Sequence, residues 1–154
     1  MNLRVRDYVD GDFEQINQVW IETGMGGAVR GDDAKIIGKT LKSGAKLFVL
    51  ENMSTREIIG TSWLTHDERR IYMHHFGIKP ANQGKGYAHY LMKFSMDFAR
   101  STGLQIKLEV HHENTKAIQL YKKWGFNYLG DYDVYIIRNY DSFTPEKELG
   151  IAEN

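Results

Sequence analysis

The stretch Gly77-Ile-Lys-Pro-Ala-Asn-Gln-Gly-Lys-Gly-Tyr-Ala88 joins a strand-like apolar segment to the start of a long amphipathic one. The chain turns there with little side-chain bulk, because Gly84 and Gly86 flank a single lysine. A strand-to-helix turn of this kind points several backbone N–H groups outward at the positive end of a helix dipole, which favours phosphate binding. The same glycines would also suit an ordinary loop that needs positive φ angles.

Two better-known phosphate loops do not fit this stretch. A Walker loop needs Gly-x-x-x-x-Gly-Lys-Ser/Thr, whereas Gly77 stands seven positions before Gly84 and Gly86 follows Lys85. A dinucleotide fingerprint needs a third small residue, and His89 occupies that position. The sequence therefore argues against both nucleotide-binding interpretations.

Upstream of the turn, apolar spacing and stop signals predict two helices and four strands. Asp12 is expected to cap the first helix, which ends at Gly24, and a glycine-rich loop follows as far as Gly31. The second helix is expected over 32–43. The strands are expected near the N-terminus, where Leu3, Val5 and Tyr8 alternate with polar residues, and over 46–52, 58–65 and 70–78.

Downstream of the turn, the pattern predicts a helix over 86–102, a strand over 105–110 and a helix that is capped by Asn114 or Thr115 and reaches Trp124. Two further strands are expected over 127–130 and 133–138, before a polar tail. The whole chain, 1–154, is interpreted as one mixed α/β domain with about seven strands and four helices.

The composition narrows the possible partners. Lys+Arg and Asp+Glu number 20 each, so no net charge attracts nucleic acid or an anionic membrane. The chain has no cysteine, which excludes disulfides and thiolate metal sites. No stretch approaches the ~18 apolar residues of a membrane span. We expect a cytoplasmic protein that binds neither membrane nor nucleic acid.

A second motif follows in Leu108-Glu-Val-His-His-Glu-Asn-Thr-Lys-Ala-Ile-Gln-Leu-Tyr-Lys-Lys-Trp-Gly-Phe126. The turn, taken as Gln83-x-x-Gly86-x-Ala88, resembles the acetyl-CoA pyrophosphate loop of the GNAT superfamily of N-acetyltransferases. The second motif resembles the same superfamily's strand, Asn, Ala, Tyr and Gly-Phe signature. With the matching element order, the resemblance covers nearly the whole chain.

The resemblance implies a sheet that is splayed between its fourth and fifth strands, with the pantetheine arm of acetyl-CoA inserted between them. The pyrophosphate would lie on the backbone amides of the turn, although Gln83 replaces the arginine that many members have there. Asn114 would contact the cofactor from the fourth helix. The implied cofactor-binding residues are Phe76, Gly77, Ile78, Gln83, Gly84, Lys85, Gly86, Tyr87, Ala88, Asn114 and Tyr121.

The chemistry of amide formation needs a neutral amine and an acid for the leaving thiolate. Tyr121 is the candidate acid, since a phenol with a pKa near ~10 can donate to a thiolate whose conjugate pKa is ~8.5. It also falls on an apolar stripe with Ala117 and Trp124, which equally favours core packing. Glu109 is the candidate base, and the resemblance to enzymes that acetylate protein N-termini supports it. An exposed carboxylate paired with Lys107 or with a neighbouring strand is the other interpretation.

Four histidines are alternative candidates for the base: His74, His75, His111 and His112. Adjacent residues of a strand face opposite sides, so neither pair is expected to chelate one metal ion. No metal site is predicted. A histidine that lines the acceptor pocket remains the favoured role for one of them.

The acceptor amine is less clearly indicated. The resemblance places acceptor specificity near Trp20 to Asp33, where Met25 could line a pocket or fill the core, and where Asp32 and Asp33 could bind an ammonium group or cap a helix. The glycine-rich loop favours closure over a small primary amine. The alternatives are a protein N-terminal acetyltransferase and a non-catalytic CoA-binding module.

The expected last strand is apolar on both faces, with Val134 and Ile136 on one and Tyr135 and Ile137 on the other. A strand of that kind is covered on both sides, either within the core or by a second subunit. A homodimer is therefore expected.

Overall fold

The computed structural model describes residues 1–142 and 145–151, so the end of the polar tail at 152–154 lies outside the described residues. The elements run in the order β1 (Leu3–Asp7), α1 (Phe13–Glu22), α2 (Ala34–Lys42), β2 (Lys46–Asn52), β3 (Glu57–His66), β4 (Arg70–Ile78), α3 (Ala88–Thr102), β5 (Gln105–Leu108), α4 (Thr115–Lys123) and α5 (Pro145–Leu149).

The strands form one mixed sheet in the order β1-β2-β3-β4-β5. The first four strands are antiparallel neighbours: short turns join β2 to β3 and β3 to β4, whereas α1 and α2 lie in the connection between β1 and β2. β5 lies parallel to β4, and α3 provides the crossover that a parallel pair requires. As a result β5 is an edge strand, and α3 starts where β4 ends.

Alternation along the strands produces a separate apolar cluster on each face of the sheet. One cluster packs around Trp20 and Ile37 from α1 and α2 together with Trp63, and the two indole rings stack with centroids 5.8 Å apart. The other packs Leu91 and Met92 of α3 against the opposite face. The sheet is therefore covered on both faces over β2 and β3.

The prediction of seven strands is wrong: the described residues form five. The segments 127–130 and 133–138 are rich in the apolar and aromatic residues typical of strands but adopt neither helix nor strand. Their apolar side chains are exposed, from 67% for Ile136 to 92% for Tyr135. β-propensity expresses fit to a pleated, half-buried surface, and this stretch, named here the C-terminal arm (127–140), has no strand beside it.

Several smaller expectations are also corrected. Asp12 does not cap α1, because its carboxylate accepts hydrogen bonds from Arg6, at 2.6 Å and 3.0 Å, and from the backbone N–H of Val9. α3 begins at Ala88 rather than at Gly86, and β5 ends at Leu108 rather than at Val110. Asn114 caps α4 as predicted.

Candidate active site

A β-bulge shapes the end of β4. Trp63 pairs with His74 and Thr61 with Gly77, so two residues of β4 lie opposite Ser62. His75 has a φ of 44°, an uncommon angle for a residue with a side chain. Its carbonyl accepts a 2.6 Å hydrogen bond from the Thr61 hydroxyl, which accepts one from the Trp20 indole N–H at 2.9 Å. These buried bonds hold the bulge in place.

The bulge overturns the expectation that His74 and His75 face opposite sides of the sheet. Both rings lie against Trp63, with centroid distances of 6.1 Å and 5.5 Å. Strand alternation fails here because the bulge inserts one extra residue. No group of three metal-ligating side chains occurs among the residues that the structure describes.

β4 and β5 separate just before the bulge. Their register runs from Arg70 with Gln105 to Met73 with Leu108. Over the described part of the chain, no residue of β5 pairs with positions 74–78. The backbone of Phe76, Gly77 and Ile78 therefore lies beside an opening in the sheet, as the resemblance implied for the pantetheine arm.

The turn before α3 presents free backbone amides. Gly84 and Gly86 have φ angles of 74° and 77°, and a Cβ added to either would meet nothing within 4 Å. Among the described residues, none accepts a hydrogen bond from the N–H groups of Gly84, Lys85, Gly86, Tyr87 and Ala88. A positive helix end with open space above free amides suits a pyrophosphate.

The side chains of Gln83 and Lys85 stabilise this turn. Gln83 donates a 2.8 Å hydrogen bond to the carbonyl oxygen of Ile78, and Lys85 donates one of 3.1 Å to that of Ala81. Gln83 thereby ties the turn to the end of β4. It takes a structural role at a position where many members of the superfamily carry a cation.

α4 carries Asn114 and Tyr121 two helical turns apart. Asn114 is exposed, and its side-chain oxygen accepts the N–H of Ala117 at 3.3 Å, so the cap also determines where α4 begins. Tyr121 is 8% exposed and packs edge-on against Phe76 and Phe126, with centroids 5.9 Å and 5.8 Å away. Tyr121 thus reaches the opening beside β4 from the α3 face.

Burial raises the pKa of Tyr121 to about 12. The phenol therefore keeps its proton throughout the neutral range, which a general acid requires. Core packing and a catalytic role, the two interpretations of this residue, are compatible in this position.

Glu109 reaches the opening from the other face. It alternates with Leu108 and Val110, which pack on the α3 side, and its carboxylate lies beside the hydroxyl of Tyr72. Burial, together with this carboxylate, raises the pKa of Tyr72. Within the described chain, Glu109 forms no ion pair with Lys107, whose ammonium group lies 5.1 Å above the Tyr72 ring. The pairing with Lys107 is therefore absent there, whereas the contact with Tyr72 of β4 agrees with the other form of that interpretation, a pairing with the neighbouring strand.

Tyr72 lies beside His74 and Thr65 in a polar group. The sequence indicated His74 as a candidate base but gave no signal for Tyr72 or Thr65. The Tyr72 ring lies 4.0 Å from that of His74, and His74 Nε2 lies 2.7 Å from the Thr65 hydroxyl. Burial lowers the pKa of His74 to about 4, so His74 is neutral at pH 7. Strand parity relates Tyr72 to His74, but only the parallel pairing of β4 with β5 brings both near Glu109.

Asp32 and Asp33 have different roles. Asp33 caps α2, accepting the N–H of Ile36 at 2.9 Å, whereas Asp32 lies 3.1 Å from His75 Nε2. Burial lowers the pKa of His75 despite this carboxylate. The preceding loop packs on the end of β4, since a Cβ on Gly77 would approach Met25 Cε to 2.9 Å. Both features place this loop beside the opening.

His111 and His112 are not part of this site. Their rings stack on each other at 4.6 Å, and both are exposed after the end of β5. The structure thus brings His74 and His75, of the four histidines, close to the opening.

The fold and the opening between β4 and β5 define the class of protein. An acetyltransferase of the GNAT family from Staphylococcus aureus Mu50 superposes with a TM-score of 0.72 at 16% identity, over 86% of this chain and 89% of that one. An acetyltransferase with acetyl-CoA from Clostridium acetobutylicum gives 0.69 at 13% identity, over 88% and 96%. These likenesses show a shared fold.

The sequence itself identifies the family. Residues 14–126 match the acetyltransferase (GNAT) family, and the chain belongs to it. It is similar to the N-alpha-acetyltransferase RimI of Mycobacterium tuberculosis, at 34% identity over 79 residues, which is 51% of this chain and 49% of the relative. The chain spans about half the length of the curated relatives it matches. No helix in the described part of the chain is long and apolar enough to cross a membrane.

Proposed function

We propose that this protein transfers the acetyl group of acetyl-CoA to a primary amine of a small molecule. The observation that carries the proposal is the set of free amides from Gly84 to Ala88 beside the opening between β4 and β5. The amides would hold the pyrophosphate, and the backbone at Phe76, Gly77 and Ile78 would pair with the pantetheine arm. Bound acetyl-CoA supplies the activated thioester.

Glu109 and Tyr121 carry out the proton transfers from opposite faces of the opening. Glu109 accepts a proton from the acceptor's ammonium group, directly or through water, and this frees the nitrogen lone pair for attack on the thioester carbon. Tyr121 donates its proton to the sulfur as the C–N bond forms and the C–S bond breaks. The second proton that the nitrogen loses restores the phenol through solvent. The acetylated amine and free CoA are then released.

A small acceptor is supported by the loop at 24–31. Gly24, Gly26, Gly27 and Gly31 all have positive φ angles, and Met25 of this loop contacts the end of β4. A loop that already packs on the transfer site can enclose a compact amine and exclude water. The similarity to RimI favours a second candidate, acetylation of a protein N-terminus. Glu109 and Tyr121 disfavour a non-catalytic CoA-binding module.

We also propose a homodimer. The C-terminal arm exposes eight large apolar side chains, each at least 67% exposed. Burial of such side chains against a second copy would be favourable. Light scattering at micromolar concentration is expected to give twice the mass of 17.8 kDa, and a monomer alone would reject this assembly.

The test of the function measures release of the CoA thiol across a panel of free amines and N-terminal peptides. Turnover of small amines is expected. Efficient turnover of a peptide, with kcat/KM above ~10⁴ M⁻¹s⁻¹, and of no small amine would replace the small-molecule acceptor by a protein. Binding of acetyl-CoA without thiol release on any acceptor would favour the non-catalytic module.

A further inference from the structure

A groove of about 360 Å³ lies at the start of β4 and β5, on the face of the sheet that carries Glu109. Tyr72 and Lys107, which pair across the two strands, line its inner end. Arg69 and Arg70 line its outer part. Tyr72 also contacts the region of Glu109 and His74, so the groove is continuous with the proposed transfer site.

The groove carries an excess of positive charge. Asp67 supplies a carboxylate at this groove. The carboxylate accepts hydrogen bonds from the guanidinium of Arg69 at 2.8 Å and 3.0 Å and from the backbone N–H groups of Arg69 and Arg70. These bonds hold the pKa of Asp67 far below its usual range. Asp67 and Arg69 therefore cancel each other's charge at neutral pH.

Arg70 and Lys107 remain without a carboxylate partner among the described residues. Arg70 donates only a 3.4 Å hydrogen bond to the Gln105 side chain, and Lys107 lies over the Tyr72 ring. Both are exposed at the groove. Two cations that lack an internal partner, on one wall of a groove, are suited to an anion from outside the chain.

The spacing along β5 relates this anion to the reacting amine. Lys107 and Glu109 point to the same face two residues apart, a separation of roughly 6.6 Å along a strand. An acceptor whose amine lies at Glu109 can therefore place a group about five bonds away beside Lys107. Arg70 lies two register positions further along the sheet, since Tyr72 is opposite Lys107 and Arg70 is opposite Gln105.

From this geometry we infer that the acceptor is a small amine that carries an anionic group, a carboxylate or a phosphate, which binds between Arg70 and Lys107. The inference rests on the proposed function. It selects among the amines that the function allows: an amino acid or an aminoalkyl phosphate is a better acceptor than a polyamine, because a second ammonium group would meet two cations in the groove.

The test compares acceptors of one length that differ in the distal group: 5-aminopentanoate, 5-aminopentan-1-ol and 1,5-diaminopentane, with 4-aminobutyl phosphate as the phosphate member. The expected order of kcat/KM is anion, then alcohol, then diamine. Better turnover of the phosphate than of the carboxylate would assign the anion as phosphate, and the reverse would assign it as carboxylate. Equal rates for all, or a preference for the diamine, would overturn the inference while leaving the acetyltransferase function intact.

Variants assign the effect to the groove. Lys107→Gln and Arg70→Gln are each expected to raise the KM for 5-aminopentanoate by about two- to five-fold, the upper range for an exposed ion pair. The loss should be smaller for 5-aminopentan-1-ol and should shrink at 0.5 M salt, since screening weakens exposed charge pairs. Lys42→Gln, an exposed lysine at the end of α2, is the control. Equal losses on both acceptors would contradict the assignment.

Calorimetric binding of 5-aminopentanoate to the full chain keeps the test independent of turnover. If 5-aminopentanoate binds and Lys107→Gln weakens this binding, the groove is supported as an anion site even when no acceptor is acetylated. The absence of acetylation would then count against the proposed function alone. No binding of either anionic acceptor, with or without acetyl-CoA, would reject the groove as an anion site.

Discussion

The chain before β5 and the chain from β5 onward differ in how they are packed. In the packed region, 3–102, side chains such as Trp20, Leu64 and Leu91 are fully buried between the sheet and α1, α2 and α3. In the open region, 105–142, Tyr121 is the only described residue that is buried. The two regions meet at the opening between β4 and β5.

The two regions divide the proposed reaction between them. The packed region contributes the turn at Gly84 and Gly86, which a full core supports, whereas the open region contributes Tyr121 and Glu109. Changes to the catalytic candidates should therefore leave most of the core, and with it the phosphate turn, intact. We therefore expect variants of Tyr121 and Glu109 to lose turnover while they still bind acetyl-CoA.

The largest expected effect is that of Tyr121→Phe. The variant keeps the ring that packs on Phe76 and Phe126 but removes the proton, so kcat should fall by roughly 10²- to 10⁴-fold. The melting temperature and its increase with acetyl-CoA should persist. Tyr90→Phe, on an exposed tyrosine of α3, is the control. Normal turnover of Tyr121→Phe would leave Tyr121 with packing alone.

Two truncations test the packing difference itself. Leu64→Ala, at a fully buried position, should lower the free energy of unfolding by about 2–5 kcal/mol. Ile136→Ala, at a side chain that is 67% exposed in the single chain, should change it by under about 0.5 kcal/mol when the protein is dilute enough to be monomeric. In the proposed homodimer the same truncation should cause a larger loss. Urea unfolding at two protein concentrations measures both. A loss for Ile136→Ala that is present at the higher concentration and disappears on dilution would mean that a second copy covers the C-terminal arm.

Glu109→Gln tests the base. The exposed carboxylate accepts a proton only in its ionised form, so the wild-type kcat/KM should decline on the acidic side of its pH profile, and the variant should lose that limb together with about 10²-fold in rate at pH 7. Glu113→Gln, on an exposed carboxylate four residues further on, is the control. An unchanged profile would point to water or to a group near Tyr72 as the base.

Gly86→Val should abolish the acetyl-CoA-dependent increase in melting temperature, because its side chain would occupy the open space above the amides. That stabilisation is about 2.7 kcal/mol at a ligand concentration 100 times Kd. Gly103→Val is a matched control, since Gly103 also has a positive φ, of 71°, with open space at its Cβ. Loss of the ligand response in both variants would indicate general strain rather than a phosphate contact.

The smallest expected effect is on the pH dependence of stability, and it involves His74 of β4. Since burial lowers the pKa of His74 to about 4 in the folded chain, from ~6.5 when unfolded, His74 stabilises the fold above pH ~6.5, and this contribution is lost as pH falls toward 4. His74→Gln should reduce the loss of stability between pH 7 and pH 5, as measured by urea unfolding. His112→Gln, at an exposed site, should leave that slope as in the wild type.

Much of the fold was predictable because its signals are local. Apolar runs bounded by turn signals predicted β2, β3 and β4 to within a residue at each end, and the asparagine before α4 predicted its start. The C-terminal arm shows the limit of such signals. It contains a comparable apolar run over 134–137, but a strand also needs a neighbour to bond with, and the local pattern contains no information about that neighbour.

The sequence by itself determined the family and the residues of the two motifs. Both motifs depend on short-range spacing: Gly84 and Gly86 leave backbone amides free in the turn, and Tyr121 lies two helical turns beyond the capping Asn114. Only the tertiary structure decided how the acceptor face is built. The bulge at His75 depends on a hydrogen bond from the Thr61 hydroxyl, which in turn accepts a hydrogen bond from the Trp20 indole. The groove depends on the pairing of Tyr72 with Lys107 across β4 and β5. Contacts between distant segments depend on packing and strand register, which no single segment specifies.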